Sequence, residues 1–299
     1  MASALAAGVA PAALTLGARR FEWGSRTYVM GVVNVTPDSF SDGGRHAGTD
    51  AAIAHGLALA ESGADLLDVG GESTRPGSLP VSADEELARV IPVIEGLRAR
   101  TDVPLSVDTT KAAVAREALK AGAHLINDIT GFSSDAGLSR VVAEAGAACC
   151  LMHIQGTPAT MQQAPRYDDV VEDVLAFLEA AILRAESAGI PRGRILLDPG
   201  IGFGKTFEHN LFLLRRLPEL RVLGLPLLVG TSRKGFLGRL AGGKPASERL
   251  AATLGSVASM AALGGADVAR VHDVTEARDA LAVADAIRRC EDGGTFYAR

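Results

Sequence analysis

The chain has 299 residues, 47% hydrophobic and 22% charged, enough for one large barrel or two medium domains with an ordinary apolar core. A formal net charge of −5 argues against a nucleic-acid surface while leaving room for a local basic pocket that takes an anionic small molecule. The three cysteines, two of them the adjacent Cys149 and Cys150, form neither a disulfide framework nor a metal spacing, which fits a reducing cytoplasm.

Residues 1–13 are an Ala-rich apolar leader with no basic start, interrupted at Pro11. They read as disordered, with a signal peptide as the alternative. No apolar run is long enough to span a bilayer. The segment 14–28 reads as a hairpin with Arg19-Arg-Phe-Glu-Trp23 before a turn at Gly24-Ser25 and Arg26-Thr-Tyr28 after it, suited to plug the bottom of a barrel. An unbroken alternation follows. Short apolar strands are expected at 28–34, 66–69, 104–107, 124–126, 147–152, 194–197, 226–229 and 268–271. Helices are expected at 49–62, from a Ser82-Ala-Asp-Glu85 capping box to about 100, and at 111–121, 137–145, 167–188, 207–216, 246–263 and 273–289, with an extra turn at 234–240. Eight βα units without a composition break argue for an α/β fold, a single (β/α)8 TIM barrel over 14–290 with a short N-terminal β-hairpin, followed by a tail at 291–299. An open doubly wound sheet is the alternative.

Barrels of this type carry their chemistry where the strands end. Here the ends are Asn34, Asp68, Asp108-Thr109, Asn127-Asp128, Met152-His153, Asp198-Pro199, Thr231-Ser-Arg-Lys234 and Arg270 with His272-Asp273. A lone Asp in such a place is usually a cap or turn former, and Asp128 and Asp273 still fit that description. Eight polar ends out of eight do not. Asp108, Asn127 and Asp198 offer acceptors and one amide donor, a set matched to a flat heterocycle rich in N–H groups. Lys234, Arg270 and His272 offer positive charge opposite them, and Arg75 with the Asn34 loop makes a second polar zone. The rim therefore suits group transfer from a phosphorylated or pyrophosphorylated heterocycle.

Three patterns are decoys. Gly200-Ile-Gly-Phe-Gly-Lys-Thr206 fails as a nucleotide phosphate loop at Pro199, and as a dinucleotide loop at Lys205. It reads instead as a close-packed loop beside a ligand, with Phe203 as a wall. The Asp38-x-Phe40-x-Asp42 run fails as a calcium loop at Phe40 and Thr49. His55, His124 and His209 read as structural or surface residues, while His153 either faces the site or supports it.

Five stretches together are similar to the dihydropteroate synthases of the folate pathway, over about 14–289: Asn34-Val-Thr-Pro-Asp-Ser-Phe-Ser-Asp-Gly-Gly44, Gly70-Gly-Glu-Ser-Thr-Arg-Pro-Gly77, Leu197-Asp-Pro-Gly-Ile-Gly-Phe-Gly-Lys205, Ser232-Arg-Lys234 and Arg270-Val-His-Asp-Val274. The resemblance implies a transferase that joins 4-aminobenzoate to 6-hydroxymethyl-7,8-dihydropterin pyrophosphate with Mg²⁺ and releases pyrophosphate. It implies a pterin held by Asp108, Asn127, Asp198 and Lys234, with Met152 and Phe203 in apolar contact. Asn34 would meet the Mg²⁺, and Arg270 and His272 the pyrophosphate. The aminobenzoate would lie among Thr74, Arg75, Pro76, Phe40, Phe203, Lys234 and Ser232. Catalysis falls to Asp108, Lys234 and Asp42, the two carboxylates stabilising a methylene cation as pyrophosphate departs. The implied assembly is a cytoplasmic homodimer through the late helices, with small-molecule substrates and neither nucleic acid nor membrane as partner. A folate-dependent methyltransferase and a non-catalytic pterin binder are the rivals. The first would not need the Asn34–Gly44 loop or Ser232-Arg-Lys234, and the second would have lost substrate contacts.

Overall fold

Strand residues alternate between two apolar environments, and that alternation closes the sheet. The computed structural model describes residues 11–35 and 44–290, with the backbone alone for 44–47. The expected leader before residue 11, the loop positions 36–43 with Phe40 and Asp42, and the tail 291–299 lie outside it. Two short strands come first, Leu14–Leu16 (β1) and Arg19–Phe21 (β2). The repeating units follow: Tyr28–Asn34 (β3) and Gly44–Glu61 (α1), Leu66–Gly70 (β4) and Ala83–Arg98 (α2), Leu105–Asp108 (β5) and Ala112–Lys120 (α3), Leu125–Asp128 (β6) and Leu138–Glu144 (α4). The second half has Ala148–Met152 (β7) and Val170–Ser187 (α5), Ile195–Asp198 (β8) and Phe207–Arg215 (α6), Leu228–Val229 (β9) with Gly235–Leu240 (α7) and Leu250–Ala262 (α8), and Val268–Val271 (β10) with Val274–Arg289 (α9).

The eight repeat strands are parallel, in the order β8-β7-β6-β5-β4-β3-β10-β9. A single bridge between Leu197 and Leu227 joins the two ends, with Leu197 N donating to Pro226 O at 2.9 Å. The sheet is therefore the closed barrel expected. Val29, Val33, Leu67, Val69, Val107, Ile126, Cys149, Leu151, Leu197 and Val229 point outward and pack under the helices. Met30, Leu66, Leu125, Ala148, Cys150, Leu196, Leu228 and Val268 point inward and fill the barrel. The two adjacent cysteines thus sit on opposite faces of one strand. Burial pushes both thiols well above their ordinary range, as expected of inert core residues.

The hairpin does plug the barrel, but its turn lies elsewhere. β1 pairs antiparallel with β2 in the register Leu14 to Phe21, so the chain reverses at Gly17-Ala18, and Gly24-Ser25 only leads into β3. Gly17 takes φ +55°, and a Cβ there would come within 2.9 Å of His124 Nε2. Leu14, Leu16, Phe21 and Trp23 continue the inward core, with Phe21 and Tyr28 rings 4.9 Å apart. Beneath them the buried Asp65 accepts from Val29 N (2.9 Å), Arg26 Nη1 (2.8 Å) and Arg19 Nη1 (3.2 Å). Asp65→Ala leaves the Val29 amide unpaired and frees two arginines. We expect a loss of about 2–3 kcal/mol and a thermal midpoint lower by roughly 3–5 °C in calorimetry. An unchanged midpoint would mean that the hairpin is held by its aromatic rings alone.

Local chemistry explains the remaining differences. Asp169 accepts from Val171 N and Glu172 N, so α5 starts at Val170 rather than 167. Ser82 accepts from Glu85 N at 3.2 Å, but Glu85 turns to Arg89, so only half the capping box forms. A full box appears instead at Thr206 and His209, which assigns His209 a structural role. The helix expected over 246–263 is a 3-10 turn at Ala246–Glu248 followed by α8.

Candidate active site

Continuing the inward stripe of each strand to its C-terminal end changes apolar residues into polar ones. Met30 leads to Asn34, Leu66 to Asp68, Leu125 to Asn127, Leu196 to Asp198 and Val268 to Arg270. The register sets Asp108 beside Asn127 and Met152 beside Asp198. Gly70 stands between Asn34 and Asp108, where its missing side chain keeps the ring open. The result is a narrow cleft lined by Thr74, Asp108, Asn127, Ile129, Met152, Asp198, Ile201, Phe203, Gly230, Ser232, Lys234, Arg270 and His272.

The floor is a charged network that the sequence reading did not assemble. Asp68 is fully buried one layer below the rim, and its Oδ2 accepts from Arg270 Nε (2.7 Å) and Asn127 Nδ2 (3.0 Å). A second arm of Arg270, Nη2, reaches Asp108 Oδ2 at 3.2 Å. Burial opposes the arginine charge, yet the two carboxylates hold it more firmly protonated than usual. Asn127 Oδ1, Asp68 Oδ1 and Ser106 Oγ are buried without a hydrogen-bond partner among the described residues. In a native interior such atoms call for a ligand or water.

Burial pushes the ionisable groups of the cleft toward neutrality, against the pull of their oppositely charged neighbours. Burial and the neighbouring Asp68 raise Asp108 to about 7, against the pull of Arg270. Burial raises Asp198 to about 6 despite its bond from Gly200 N (2.7 Å) and the charge of Lys234. Desolvation lowers Lys234 to about 7 against the pull of Asp198. Its ammonium lies 3.9 Å from the centre of the Phe203 ring.

The glycine loop is as close-packed as expected. A Cβ on Gly200 would lie 1.8 Å from His153 O, and one on Gly204 would lie 2.4 Å from Gln155 O. Lys205, read from sequence only as a failed motif position, is the anchor of this loop. Its buried ammonium reaches Gly200 O (2.9 Å), Phe203 O (3.1 Å) and His153 Nδ1 (2.9 Å). His153 therefore supports the loop and stays out of the cleft. Burial and Lys205 bring it down to about 3.

His272 needs a correction. It was expected to bring positive charge, but burial and the charges of Arg233 and Arg270 lower it to about 4, so it is neutral at pH 7. Ser232 Oγ accepts from His272 N (3.3 Å) and lies 2.9 Å from His272 Nδ1, so the hydroxyl fixes the orientation of a neutral ring that keeps one N–H to donate.

The other expected residues fall around the cleft. Thr74 lines it, while Arg75 and Pro76 are exposed on the loop outside the lining. The charge of Arg75 still reaches His272 and helps to lower it. This loop is anchored by Glu72, which with the fully buried Glu86 grips Lys111, and Gly77 N donates to Pro158 O at 3.0 Å. Asn34 is half-buried at the end of β3, beside the cleft and outside its lining. Asp128 is a turn former that accepts from Thr130 N and Phe132 N. Asp273 spends its carboxylate on Arg233 instead of capping α9. No group of three or more His, Cys, Asp or Glu that could hold a metal occurs among the described residues.

Comparison with known proteins agrees with this geometry. The profile of the family described as pterin binding enzymes matches residues 30–272. The dihydropteroate synthase of Escherichia coli (strain K12) is 51% identical over 262 residues, covering 88% of this chain and 92% of that enzyme. The Xanthomonas albilineans dihydropteroate synthase solved with 4-aminobenzoic acid has a TM-score of 0.87 at 48% identity, covering 95% of this chain and 100% of that one. A structure of the Xanthomonas enzyme with 7,8-dihydropteroate gives a TM-score of 0.84 at 46% identity, with 94% and 100% covered.

Proposed function

Because the chain belongs to the family of pterin binding enzymes, and within it to the dihydropteroate synthases, we infer that its rim condenses 6-hydroxymethyl-7,8-dihydropterin pyrophosphate with 4-aminobenzoate. The products are 7,8-dihydropteroate and pyrophosphate, in folate biosynthesis. The observation that carries the reading is the buried, unpartnered Asn127 Oδ1, in a cleft lined also by Asp108, Asp198 and Lys234 stacked on the Phe203 ring. In this reading the pterin N–H groups meet Asn127, Asp108 and Asp198. Lys234 supplies the donor on the far side, and Met152 and Phe203 cover the ring. The aminobenzoate lies outward, between Phe203, Ser232 and Lys234 and the Thr74–Arg75–Pro76 loop, with Phe40 from the loop after β3.

The reaction breaks the C–O bond to the leaving diphosphate, which takes the electron pair. The aromatic amine then donates its lone pair to the methylene carbon, and its surplus proton leaves to solvent or to the diphosphate. Arg270, with three of its five donors left over after Asp68 and Asp108, and the neutral imidazole of His272 meet the departing charge. Asp108 and Asp42 stabilise the cation left on the pterin.

The donor set fits Mg²⁺ brought in on the substrate. Such an ion keeps its waters, shares oxygens with phosphates and asks little of the protein. The side-chain oxygen of Asn34 at the rim suffices for that, where a resident ion would want several carboxylates. When bound, Mg²⁺ supplies Lewis-acid neutralisation of the diphosphate. Exposed Leu250, Leu263, Val283 and Ile287 on and beside α8 and α9 support a homodimer through these helices. The free cysteines Cys149 and Cys150, and helices too short or polar to cross a membrane among the described residues, are consistent with a cytoplasmic site of action.

Pyrophosphate release in the presence of both substrates and Mg²⁺ tests the reaction. Asn34→Ala should raise the Mg²⁺ concentration for half-maximal turnover about tenfold, with activity partly recovered at high Mg²⁺, as expected for a metal ligand. No release from the parent protein would reject the synthase reading. An unshifted Mg²⁺ requirement in the variant would reject the role of Asn34.

A further inference from the structure

The strand-end segment that presents Ser232 and Lys234 is held in a backbone conformation its sequence does not favour. Arg233, between them, has φ +58°, a left-handed value rare for a residue with a Cβ. Such a residue persists only where its surroundings over-determine it. Here they do so on every side. Arg233 N donates to Thr253 Oγ1 at 3.0 Å, and Thr253 is fully buried in α8. Arg233 O accepts from Arg249 Nη1 at 2.9 Å. Its guanidinium holds Asp273 through Nε (3.2 Å) and Nη2 (2.5 Å). Arg249 is itself tethered by Nε to Lys244 O at 2.8 Å. It lies where a side chain on Gly238 would collide, with a Cβ only 2.4 Å from Arg249 Nε.

The geometry points to Arg249 and Thr253, both outside the cleft, as positioning residues for the condensation. They clamp Arg233 left-handed so that Ser232 faces His272 and Lys234 faces Phe203 at the same time. If Arg233 relaxed to a right-handed conformation, the chain direction on either side of it would rotate, and one of the two neighbours would leave the cleft. The inference rests on the pterin reading of the cleft given above and adds residues that touch no substrate.

A glycine needs no clamp to stay left-handed, and this gives the test. Arg249→Met and Thr253→Val are made in the parent chain and in an Arg233→Gly background. For each, KM for the dihydropterin pyrophosphate, kcat, and the equilibrium Kd of a 6-carboxypterin are measured with the thermal midpoint. In the parent background, either substitution should raise KM and Kd about tenfold. Measured against the Arg233→Gly protein, each should cost less than about twofold. Equal costs in both backgrounds, or no cost in the parent, would overturn the proposal. If Arg249→Met does not fold, Thr253→Val alone makes the same comparison. Turnover by the parent protein in the same assay separates failure of this proposal from failure of the functional reading.

Discussion

Asp198→Asn is expected to lower kcat/KM for the dihydropterin pyrophosphate by about a hundred- to a thousandfold and, at pH 8, to make the ligand-free protein more stable. The loss follows from replacing an acceptor by an amide whose NH₂ would face ring N–H groups. Two charge-assisted bonds at about 1.5–2 kcal/mol each fall away, which is two to three decades in rate. The gain follows from burial, which holds the Asp198 carboxyl at about 6 against its ordinary 3.8. A carboxyl raised in the folded state binds more protons there than in the unfolded chain, so raising the pH through that interval costs native stability. The difference between parent and variant should be absent below about pH 4 and complete above about pH 6, on the order of 3 kcal/mol and a few degrees of thermal midpoint. Calorimetry across that range, beside steady-state kinetics, checks both halves. Less than a tenfold loss in kcat/KM would remove Asp198 from pterin recognition.

Asp68→Leu is expected to be the most damaging single change at the site. It leaves Arg270 buried with only the longer contact to Asp108 and removes the partner of the Asn127 amide. Breaking one side of a buried ion pair costs about 3–5 kcal/mol, so the thermal midpoint should drop by roughly 5–8 °C. Replacing both partners, Asp68→Leu with Arg270→Met, removes the unpaired charge. Most of the midpoint should return, while turnover should stay lost because the diphosphate has no guanidinium to meet. If the double variant is as unstable as the single one, the network holds the barrel together by packing and not by charge.

These two residues also mark how far the sequence could be read. Asp198, Asp108, Asn127 and Asn34 were legible because each follows an apolar run with the parity of the inward stripe. Asp68 shares that parity and stands among the expected polar strand ends, in a strand expected over 66–69. β4 runs on to Gly70, which puts Asp68 beneath the rim and in reach of a residue 202 positions away. No local pattern reports such a pairing. Lys205 was hidden differently. Compared with nucleotide loops it is a mismatch, and only the folded loop shows three acceptors converging on its ammonium. The charge of His272 was misjudged because neutrality there depends on burial and on two arginines from the rim around it. The hairpin turn went to Gly24-Ser25 on turn chemistry, although Gly17-Ala18 wins because it lets β1 and β2 lay their apolar sides on the barrel floor.

The barrel is a hoop with a weak buckle. β9 contributes two residues, and a single bridge joins it to β8. Asp198 ends the strand on one side of that buckle, while Lys234 follows the strand on the other. A pterin held by both, in the mode proposed above, would span the gap from side chain to side chain and supply the cross-tie that the backbone omits. The substrate would then be the last stave of the cask.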